Sequence, residues 1–303
     1  MPGESVLDTL LRAEIPVPHS CRAGACQSCL LRASSGTPPA ASQAGLKPAL
    51  VEQNCFLACV ARPDADLAVE FPGAGIRTAA RLVEVSPLSA TVVRVVIETD
   101  QPNNHRAGQY LTLFRRDGLA RSYSIASLPD DPRLELHVRV IPNGQMSQWL
   151  AGSAQPGDML EVQGPAGNCF YTPDNPSQPL ILVGTGTGLA PLYGILRDAL
   201  AQSHQAPIWL YHGALNAAGL YLKDELEALA ARHDGFHYQP ALLDTHGPLP
   251  ELLVKNHPDL KQARGFVCGD PGIVNQLKKR LFLAGMPSRE ILSDAFIPSP
   301  TSS

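Results

Sequence analysis

The pattern of hydrophobic positions divides this chain of 303 residues into three parts. In the middle part, residues 91–99 are rich in β-branched side chains and residues 134–141 alternate with a period of two, as strands do. Glycine and proline interrupt the apolar runs at short intervals, which is typical of a small antiparallel barrel. We therefore predict an antiparallel β-barrel that begins near Arg77.

After residue 179 the pattern changes to short apolar runs that alternate with helix-like stretches. The apolar runs lie at 180–183, 208–211 and 265–268, and the helix-like stretches at 189–203, 222–232 and 272–284. This alternation predicts a parallel, doubly wound α/β sheet. Pro-Gly-Ala-Gly at 72–75 and the proline-rich segment 173–179 are typical of boundaries. The expected domains are 1–72, 77–176 and 177–303.

Composition places the chain among folded proteins and narrows the classes of function. Hydrophobic residues make up 44% of the sequence and charged residues 17%, which is typical of a globular protein. The net charge is −4 without a run of basic residues, so nucleic-acid binding is not expected. The first five residues do not show the basic start and apolar middle of a signal peptide, and no run approaches 18 consecutive apolar residues. We expect a cytoplasmic protein without a membrane span.

Clustered cysteines give the strongest chemical signal. Five of the seven cysteines lie in the first sixty residues, and a disulfide framework is not expected in the reducing cytosol. The spacing Cys21-x4-Cys26-x2-Cys29, followed by Cys59, is typical of a plant-type [2Fe–2S] cluster that is held by four thiolates. Small residues between the first two cysteines let backbone N–H groups approach the inorganic sulfides. The pattern therefore predicts one-electron chemistry.

Three other interpretations compete for these cysteines. Zinc usually takes two ligand pairs, and only Cys26 and Cys29 have the Cys-x2-Cys form. A thioredoxin-like dithiol needs a βαβ setting, which does not surround Cys26. Burial alone is the simplest account of Cys55 and Cys169, which fall outside the spacing. The complete spacing favours the cluster over these alternatives.

The segment from Gly3 to Cys29 resembles the ferredoxin module of reductases that serve bacterial oxygenases. The resemblance implies a β-grasp-like α+β fold for this domain. Members of the family usually have a β-hairpin before the segment that matches residues 3–7, and this sequence begins where that hairpin would end. We expect either a start site placed too late or a module that lacks two strands, whose exposed sheet edge would lower its stability.

Two short segments in the barrel region carry side chains that suit a flavin. The first is Arg121-Ser122-Tyr123-Ser124, and the second is Pro-Asn-Gly-Gln-Met-Ser at 142–147. Taken alone they are weak signals, because an arginine beside a tyrosine is commonly a surface pair and Asn-Gly is commonly a turn. A guanidinium can nevertheless pair with a pyrophosphate, a tyrosine ring can lie on an isoalloxazine, and a helix start attracts anions. The Ser124 hydroxyl could reach the flavin N5.

Together the two segments resemble the flavin-binding barrel of the ferredoxin–NAD(P)+ reductase superfamily, whose arginine-x-tyrosine-serine signature matches 121–124. The resemblance implies that further residues hold the flavin. They are His137, Val138, Arg139, Gly144, Gln145, Met146 and Ser147. An N-terminal ferredoxin module accompanies FAD in such reductases, whereas FMN-dependent relatives usually carry the module at the other end. FAD is therefore favoured over FMN.

Two segments after residue 179 indicate a pyridine-nucleotide site. They are Gly184-Thr185-Gly186-Thr187-Gly188, between a strand and a helix, and Cys268-Gly269-Asp270-Pro271 at the end of a later strand. Glycines let a pyrophosphate approach a helix start, although this spacing departs from the Rossmann pattern. From the residues alone, Cys268 is most simply a buried strand cysteine.

The resemblance changes that interpretation. A glycine-rich turn together with Cys-Gly-x-Pro is the nucleotide signature of the superfamily, and it places Cys268 beside the nicotinamide, where the thiol shapes the site. Phe296 matches the aromatic residue of the family's terminal segment, which packs near the flavin, and a plain core anchor is the alternative. Leu215 and Asn216 carry no positive charge for a 2′-phosphate, and Lys223 is the nearest cation. NADH is therefore favoured, with NADPH as the alternative.

The order of the three motif sets predicts a relay. NADH gives electrons in pairs, a flavin holds one or two, and the cluster passes them singly. The leading hypothesis is a reductase that carries electrons from NADH through FAD and the cluster to a redox partner protein, an oxygenase component. Arg22, Arg32 and Arg62 are candidate contacts with this partner, and ordinary solvated arginines are the alternative.

Two other functions compete with this relay. One is an NAD(P)H:flavin or ferric reductase that releases electrons to small acceptors. The other is a redox-sensing or binding protein whose flavin and nucleotide sites are remnants. Because all three motif sets are intact, the sensor is the weaker of the two.

Overall fold

The computed structural model describes residues 3–46, 48–71, 77–101 and 104–297. Its helices are α1 Val6–Arg12, α2 Pro48–Glu52, α3 Gln145–Gly152, α4 Leu189–Ala201, α5 Lys223–Arg232, α6 Leu243–His246, α7 Leu249–Asn256 and α8 Pro271–Leu283. Its strands are β1 Leu30–Ser35, β2 Cys55–Leu57, β3 Ala68–Glu70, β4 Arg77–Pro87, β5 Val92–Thr99, β6 Tyr110–Phe114, β7 Ala120–Ser124, β8 Leu134–Arg139, β9 Met159–Ala166, β10 Leu180–Thr185, β11 Ile208–Ala214, β12 Phe236–Leu242, β13 Arg264–Gly269 and β14 Ile291–Ala295. The predicted linker at 72–75 lies outside the described residues.

The N-terminal unit consists of α1, α2 and β1–β3. Its described strands form a sheet in the order β2–β1–β3, with both pairings antiparallel. Helix α1 begins after Ser5, whose side chain accepts a hydrogen bond from the Asp8 N–H and so caps the helix. The helix buries Leu7 against Phe56 and the other apolar residues of this unit. In the described residues no strand precedes α1.

The barrel consists of β4–β9 with α3. Its described strands pair antiparallel in the order β7–β6–β9–β4–β5–β8. A bridge between Ile125 and Leu136 joins the two ends of this series, so the sheet curls into a barrel. Alternate residues of β5, β6 and β8 point inward, and they form one apolar core with Met146 and Leu150 of α3. The predicted antiparallel barrel is confirmed.

The C-terminal unit consists of β10–β14 with α4–α8. Its described strands pair in parallel in the order β12–β11–β10–β13–β14. One face packs on α4 and the other on α7 and α8, as two separate apolar clusters show. The strand order reverses between β10 and β13, and open α/β sheets bind ligands beyond the strand ends at such a point. The predicted doubly wound sheet is confirmed.

Several element limits differ from the sequence-based expectation. The helix predicted at 189–203 ends at Ala201, and β12 and β14 were not predicted. Both are edge strands of the parallel sheet, where pairing with a neighbour decides the conformation more than local propensity does. The domain limits 1–72, 77–176 and 177–303 stay predictions. None of the helices in the described ranges combines the length and the apolar character needed to cross a bilayer.

Candidate functional site

The four cysteines of the predicted cluster lie together in the N-terminal unit. They are Cys21, Cys26, Cys29 and Cys59, and each is buried. The first three lie on the loop before β1, and the fourth follows β2. Because β1 and β2 pair with Leu30 opposite Leu57, their register brings Cys59 beside Cys29. Residues 21–29 are called the cluster loop below.

The thiols of these cysteines form two pairs. Cys26 donates to Cys21 and Cys29 donates to Cys59, which raises the pKa of each donor and lowers that of each acceptor. In the described ranges no three side chains of His, Cys, Asp or Glu converge on the position of a single metal ion. A two-iron cluster needs two thiolates for each iron, which is the arrangement that two pairs supply.

Backbone N–H groups of the cluster loop point at sulfur. The Ala23 N–H lies 3.4 Å from Cys21 Sγ, and the Cys26 N–H lies 3.3 Å from the same atom. The thiol of Cys26 and these N–H groups together lower the pKa of Cys21 to about 5. Such donors stabilise negative charge on sulfur, so the loop fits an anionic iron–sulfur cluster.

The Arg-Ser-Tyr-Ser segment forms β7, and its side chains alternate between the two faces of the barrel wall. Tyr123 packs against the barrel core. Ser124 lies on the opposite face, where its hydroxyl donates to Asp294 Oδ2 at 3.0 Å. Among the described residues Arg121 makes one hydrogen bond, to the neighbouring Ala120 carbonyl, and it has no carboxylate partner. A guanidinium without a counter-charge fits the pyrophosphate of a bound FAD.

The second predicted flavin segment begins α3. Gly144 precedes the helix without a side-chain cap, so the N–H groups of Gln145, Met146 and Ser147 have no partner within the helix. The Ser147 hydroxyl is engaged in the turn, because it accepts from the Ile141 N–H at 3.1 Å. The open N–H groups at the helix start fit an anionic part of FAD.

The His137-Val138-Arg139 segment of β8 has a different side-chain environment on each residue. His137 is buried, and its ring contacts Glu135 at 2.9 Å and the Tyr221 hydroxyl at 3.2 Å. Val138 points into the barrel core, and Arg139 is exposed. The His137 side chain therefore joins the barrel to the C-terminal unit, and only its backbone is left for the predicted flavin contact.

The two predicted nucleotide segments lie side by side beyond β10 and β13. Gly184 pairs with Cys268 in the parallel register. The Thr185 hydroxyl accepts from the Asp270 N–H at 3.2 Å, which ties the two turns together. Gly186, Thr187 and Gly188 form a 3-10 turn that leads directly into α4.

Close backbone approach explains two of the glycines in these segments. A methyl group on Gly188 would overlap the backbone of Cys268 and Gly269. Gly269 has a φ of +121° and lies against Thr185, so any side chain there would be strained. Asp270 caps α8 by accepting from the Ile273 N–H at 3.0 Å, and Pro271 is the first residue of that helix.

Cys268 lies where the barrel and the C-terminal unit meet. Its Sγ is 3.6 Å from Cys169 Sγ, and both thiols are buried. Asp294 is its register partner on β14, and the same carboxylate accepts from Ser124. The Phe296 N–H donates to the Gly269 carbonyl at 2.8 Å, which places this aromatic residue beside the same turn. The structure therefore brings Ser124, Cys268 and Phe296 to one junction.

Family models match all three units. The "2Fe-2S iron-sulfur cluster binding domain" model matches residues 1–64, the "Oxidoreductase FAD-binding domain" model matches 79–171, and the "Oxidoreductase NAD-binding domain" model matches 182–279.

The chain is also similar to proteins over its whole length. The reductase subunit of an aromatic O-demethylase from Amycolatopsis is 33% identical, over 98% of this chain and 95% of that protein. This chain belongs to the ferredoxin–NAD(P)+ reductase family, in the branch with an N-terminal [2Fe–2S] domain. The reductase component of a phenol 2-monooxygenase from Pseudomonas is 29% identical, over 97% of this chain and 90% of that one. A solved cytochrome P450 reductase from Amycolatopsis superposes with a TM-score of 0.72 at 32% identity, over 98% of this chain and 96% of its own.

These findings confirm the predicted family, the oxidoreductase class and the three cofactor-binding domains for [2Fe–2S], FAD and NAD. The β-grasp-like N-terminal domain is confirmed by the same matches. The roles of individual residues in this reductase stay predictions, which the contacts above support.

Sequence reasoning missed Asp294 as a site residue. It belongs to a segment that resembles the family's terminus, but a lone aspartate near the end of a sequence has no distinguishing pattern. Asp294 is a site residue because it lies opposite Cys268 in the pairing of β13 with β14 and because its carboxylate accepts from the Ser124 hydroxyl of the barrel. Burial raises the pKa of Asp294 to about 6.

Substitution of Gly188 by alanine should weaken nucleotide binding and leave the flavin in place. The added methyl group would push the turn away from the backbone of Cys268, which costs about 1–3 kcal/mol in a packed region. We expect the KM for the pyridine nucleotide to rise about tenfold with an unchanged FAD content. Gly152→Ala is the matched control, because no atom lies within 4 Å of the added group. An unchanged KM in Gly188→Ala would contradict this arrangement.

The Asp294→Asn variant should remove a pH dependence of stability. The pKa of Asp294 is raised from 3.8 to about 6 in the folded reductase. Between these two pH values the folded state therefore binds more protons than the unfolded state does. The wild type should therefore lose up to ~3 kcal/mol of unfolding free energy between pH 4 and pH 7 relative to the variant. Denaturant unfolding across this range measures the difference. A difference that does not change with pH would show that Asp294 is ionised throughout.

Proposed function

We propose that this reductase takes electrons from NADH and delivers them singly, through FAD and its [2Fe–2S] cluster, to an oxygenase component. One observation carries the proposal: two serines of β7, which lie two positions apart on the same face of the strand, contact the two other units. Ser124 donates to Asp294 of the C-terminal unit at 3.0 Å, and Ser122 donates to the Cys26 carbonyl of the cluster loop at 3.3 Å. The flavin signature strand therefore lies between the nucleotide turns and the cluster loop.

The chemistry needs positioning more than proton transfer. FAD bound at this junction would supply the chemistry that links two-electron transfer from a nicotinamide to one-electron transfer to the cluster. Ser124 and Asp294 form a polar pair at the junction, and the buried Cys268 thiol closes it from the side of the C-terminal unit. Arg121 and the start of α3 supply positive charge and N–H groups for the flavin phosphates. The burial of this junction keeps water away from the hydride path.

The names of the relatives support an oxygenase as the partner protein. The relatives include reductase components of dioxygenase and monooxygenase systems.

In the cluster loop Arg22 and Ala23 are exposed, and we propose that this side of the loop is the face that binds the partner protein. The three candidate arginines are already engaged: Arg22 with Asp8, Arg32 with Glu70, and Arg62 with the Gly3 carbonyl. Exposed pairs of this kind contribute little on their own, so a partner's charge could displace them. We also propose a cytoplasmic location.

The end of β11 supports NADH over NADPH. Leu215 and Asn216 are exposed there and carry no positive charge, and Lys223 is paired with Glu227 at 3.4 Å. The acidic residue Asp244 lies beside them, because its N–H donates to the Leu215 carbonyl at 3.2 Å. A carboxylate at this place favours a ribose 2′-hydroxyl and repels a 2′-phosphate.

Anaerobic titration with NADH, followed by visible absorption and EPR, tests the relay. We expect flavin bleaching followed by a reduced [2Fe–2S] signal. In Cys21→Ser the cluster signal and electron delivery to a protein acceptor should disappear, whereas flavin bleaching keeps its rate. Cys55→Ser is the matched control, because Cys55 is buried on β2 outside the four-cysteine set. If Cys21→Ser delivers electrons as fast as the wild type, the cluster does not lie on the electron path. That result would favour the alternative, a reductase that acts on small acceptors.

Coenzyme preference should follow the charge at the end of β11. We expect kcat/KM to be higher for NADH than for NADPH. Asn216→Arg should raise kcat/KM for NADPH about tenfold, since a new charge-assisted contact with a phosphate is worth ~1.5–3 kcal/mol. Asn175→Arg, on the loop before β10, is the control. A wild-type preference for NADPH would overturn the assignment.

A further inference from the structure

The barrel holds the cluster loop by hydrogen bonds to three consecutive backbone carbonyls. Among the described residues the contacts are Tyr110 to the Ala25 carbonyl at 2.5 Å, Thr112 to the Cys26 carbonyl at 2.6 Å, Ser122 to the same carbonyl at 3.3 Å, and Gln163 to the Gln27 carbonyl at 3.1 Å. Each donor is a side chain of the barrel. These four side chains are called the docking patch.

Strand register explains why the docking patch exists. Tyr110 and Thr112 are two positions apart on β6, so their side chains lie on one face. Thr112 is directly opposite Ser122 on β7 and Gln163 on β9. Cross-strand partners point to the same face of a sheet, so three neighbouring strands present polar groups to one spot.

Burial makes Thr112 the central member of the docking patch. It is 2% exposed, and its hydroxyl contacts both the Cys26 carbonyl and the Ser122 hydroxyl, the latter at 2.9 Å. A buried hydroxyl without a partner is costly, so this one stabilises the docked position of the loop. The carbonyl that it binds belongs to a residue whose sulfur is a proposed ligand of the cluster.

We propose that Thr112 is a positioning residue that fixes the cluster loop on the flavin barrel and thereby sets the rate of electron transfer from FAD to the cluster. This inference rests on the proposed function. In the step, the electron that the reduced flavin loses is the one that a ferric ion gains on becoming ferrous, and no heavy-atom bond forms or breaks. Thr112 acts through the position of Cys26, so its loss lowers the rate by loosening the loop.

The test compares Thr112→Val with Thr112→Ser in the full-length holoprotein. Valine keeps the shape and removes the hydroxyl, whereas serine keeps the hydroxyl. Thr78→Val is the matched control, since Thr78 lies on β4 of the same barrel and its hydroxyl has no hydrogen bond among the described residues. Amide hydrogen exchange of residues 21–29 reports the position of the loop, and stopped-flow absorption with NADH separates flavin reduction from cluster reduction.

In Thr112→Val we expect exchange of the cluster loop to become about fivefold faster, which corresponds to one lost hydrogen bond of ~1 kcal/mol. Cluster reduction should slow by up to the same factor, while the rate of flavin reduction stays unchanged. Thr112→Ser and Thr78→Val should both match the wild type. A general loss of folding would slow flavin reduction as well, so these readouts distinguish positioning from instability.

Equal rates of cluster reduction in the wild type and Thr112→Val would overturn the inference, whatever the exchange shows. Failure of the proposed function would give a different result, because NADH would not reduce the cluster even in the wild type. If Thr112→Val does not fold, Tyr110→Phe replaces it, since this change removes the bond to the Ala25 carbonyl and keeps the ring. Exchange of the loop as slow as in the wild type would then overturn the inference.

Discussion

The alternation of side chains along β6 and β7 is the constraint on which the arrangement of the three units depends. Leu111 and Leu113 point into the barrel core, so the residues between and beside them must point outward. The outward face contacts the C-terminal unit through Ser124 and the N-terminal unit through Thr112. A slip of one residue would turn these polar groups into the core and break both contacts together.

The sequence predicts the three units well because each depends on a local pattern. The spacing of Cys21, Cys26 and Cys29 is set by one loop, and the glycines around Gly188 are required by one turn. The site as a whole depends on pairing between distant strands, which no local pattern records. Asp294 belongs to a strand that was not predicted. Thr112 contacts Cys26, which lies 86 positions earlier in the sequence.

The ring of His137 makes contacts that the sequence pattern of its segment did not indicate. The sequence predicts that 137–139 lies at the flavin, yet the His137 ring is enclosed by Glu135, Tyr221 and Tyr193. Arg94 also binds Glu135, so a polar network fills the contact between β8 and the C-terminal unit. Buried networks in which each polar group has a partner restrict how two units can be oriented. A fixed orientation is what a hydride path between them needs.

The two sides of the cluster loop differ in what they touch. The carbonyls of residues 25–27 face the barrel, whereas Arg22 and Ala23 face solvent. Under the proposed function, electrons would therefore enter and leave the cluster past different residues of one short segment. Substitutions on the solvent side of the loop would leave the hydrogen bonds between the loop and the barrel in place. Under the proposed function, a loop divided in this way would separate the residues that meet the electron acceptor from those that hold the cluster against the barrel.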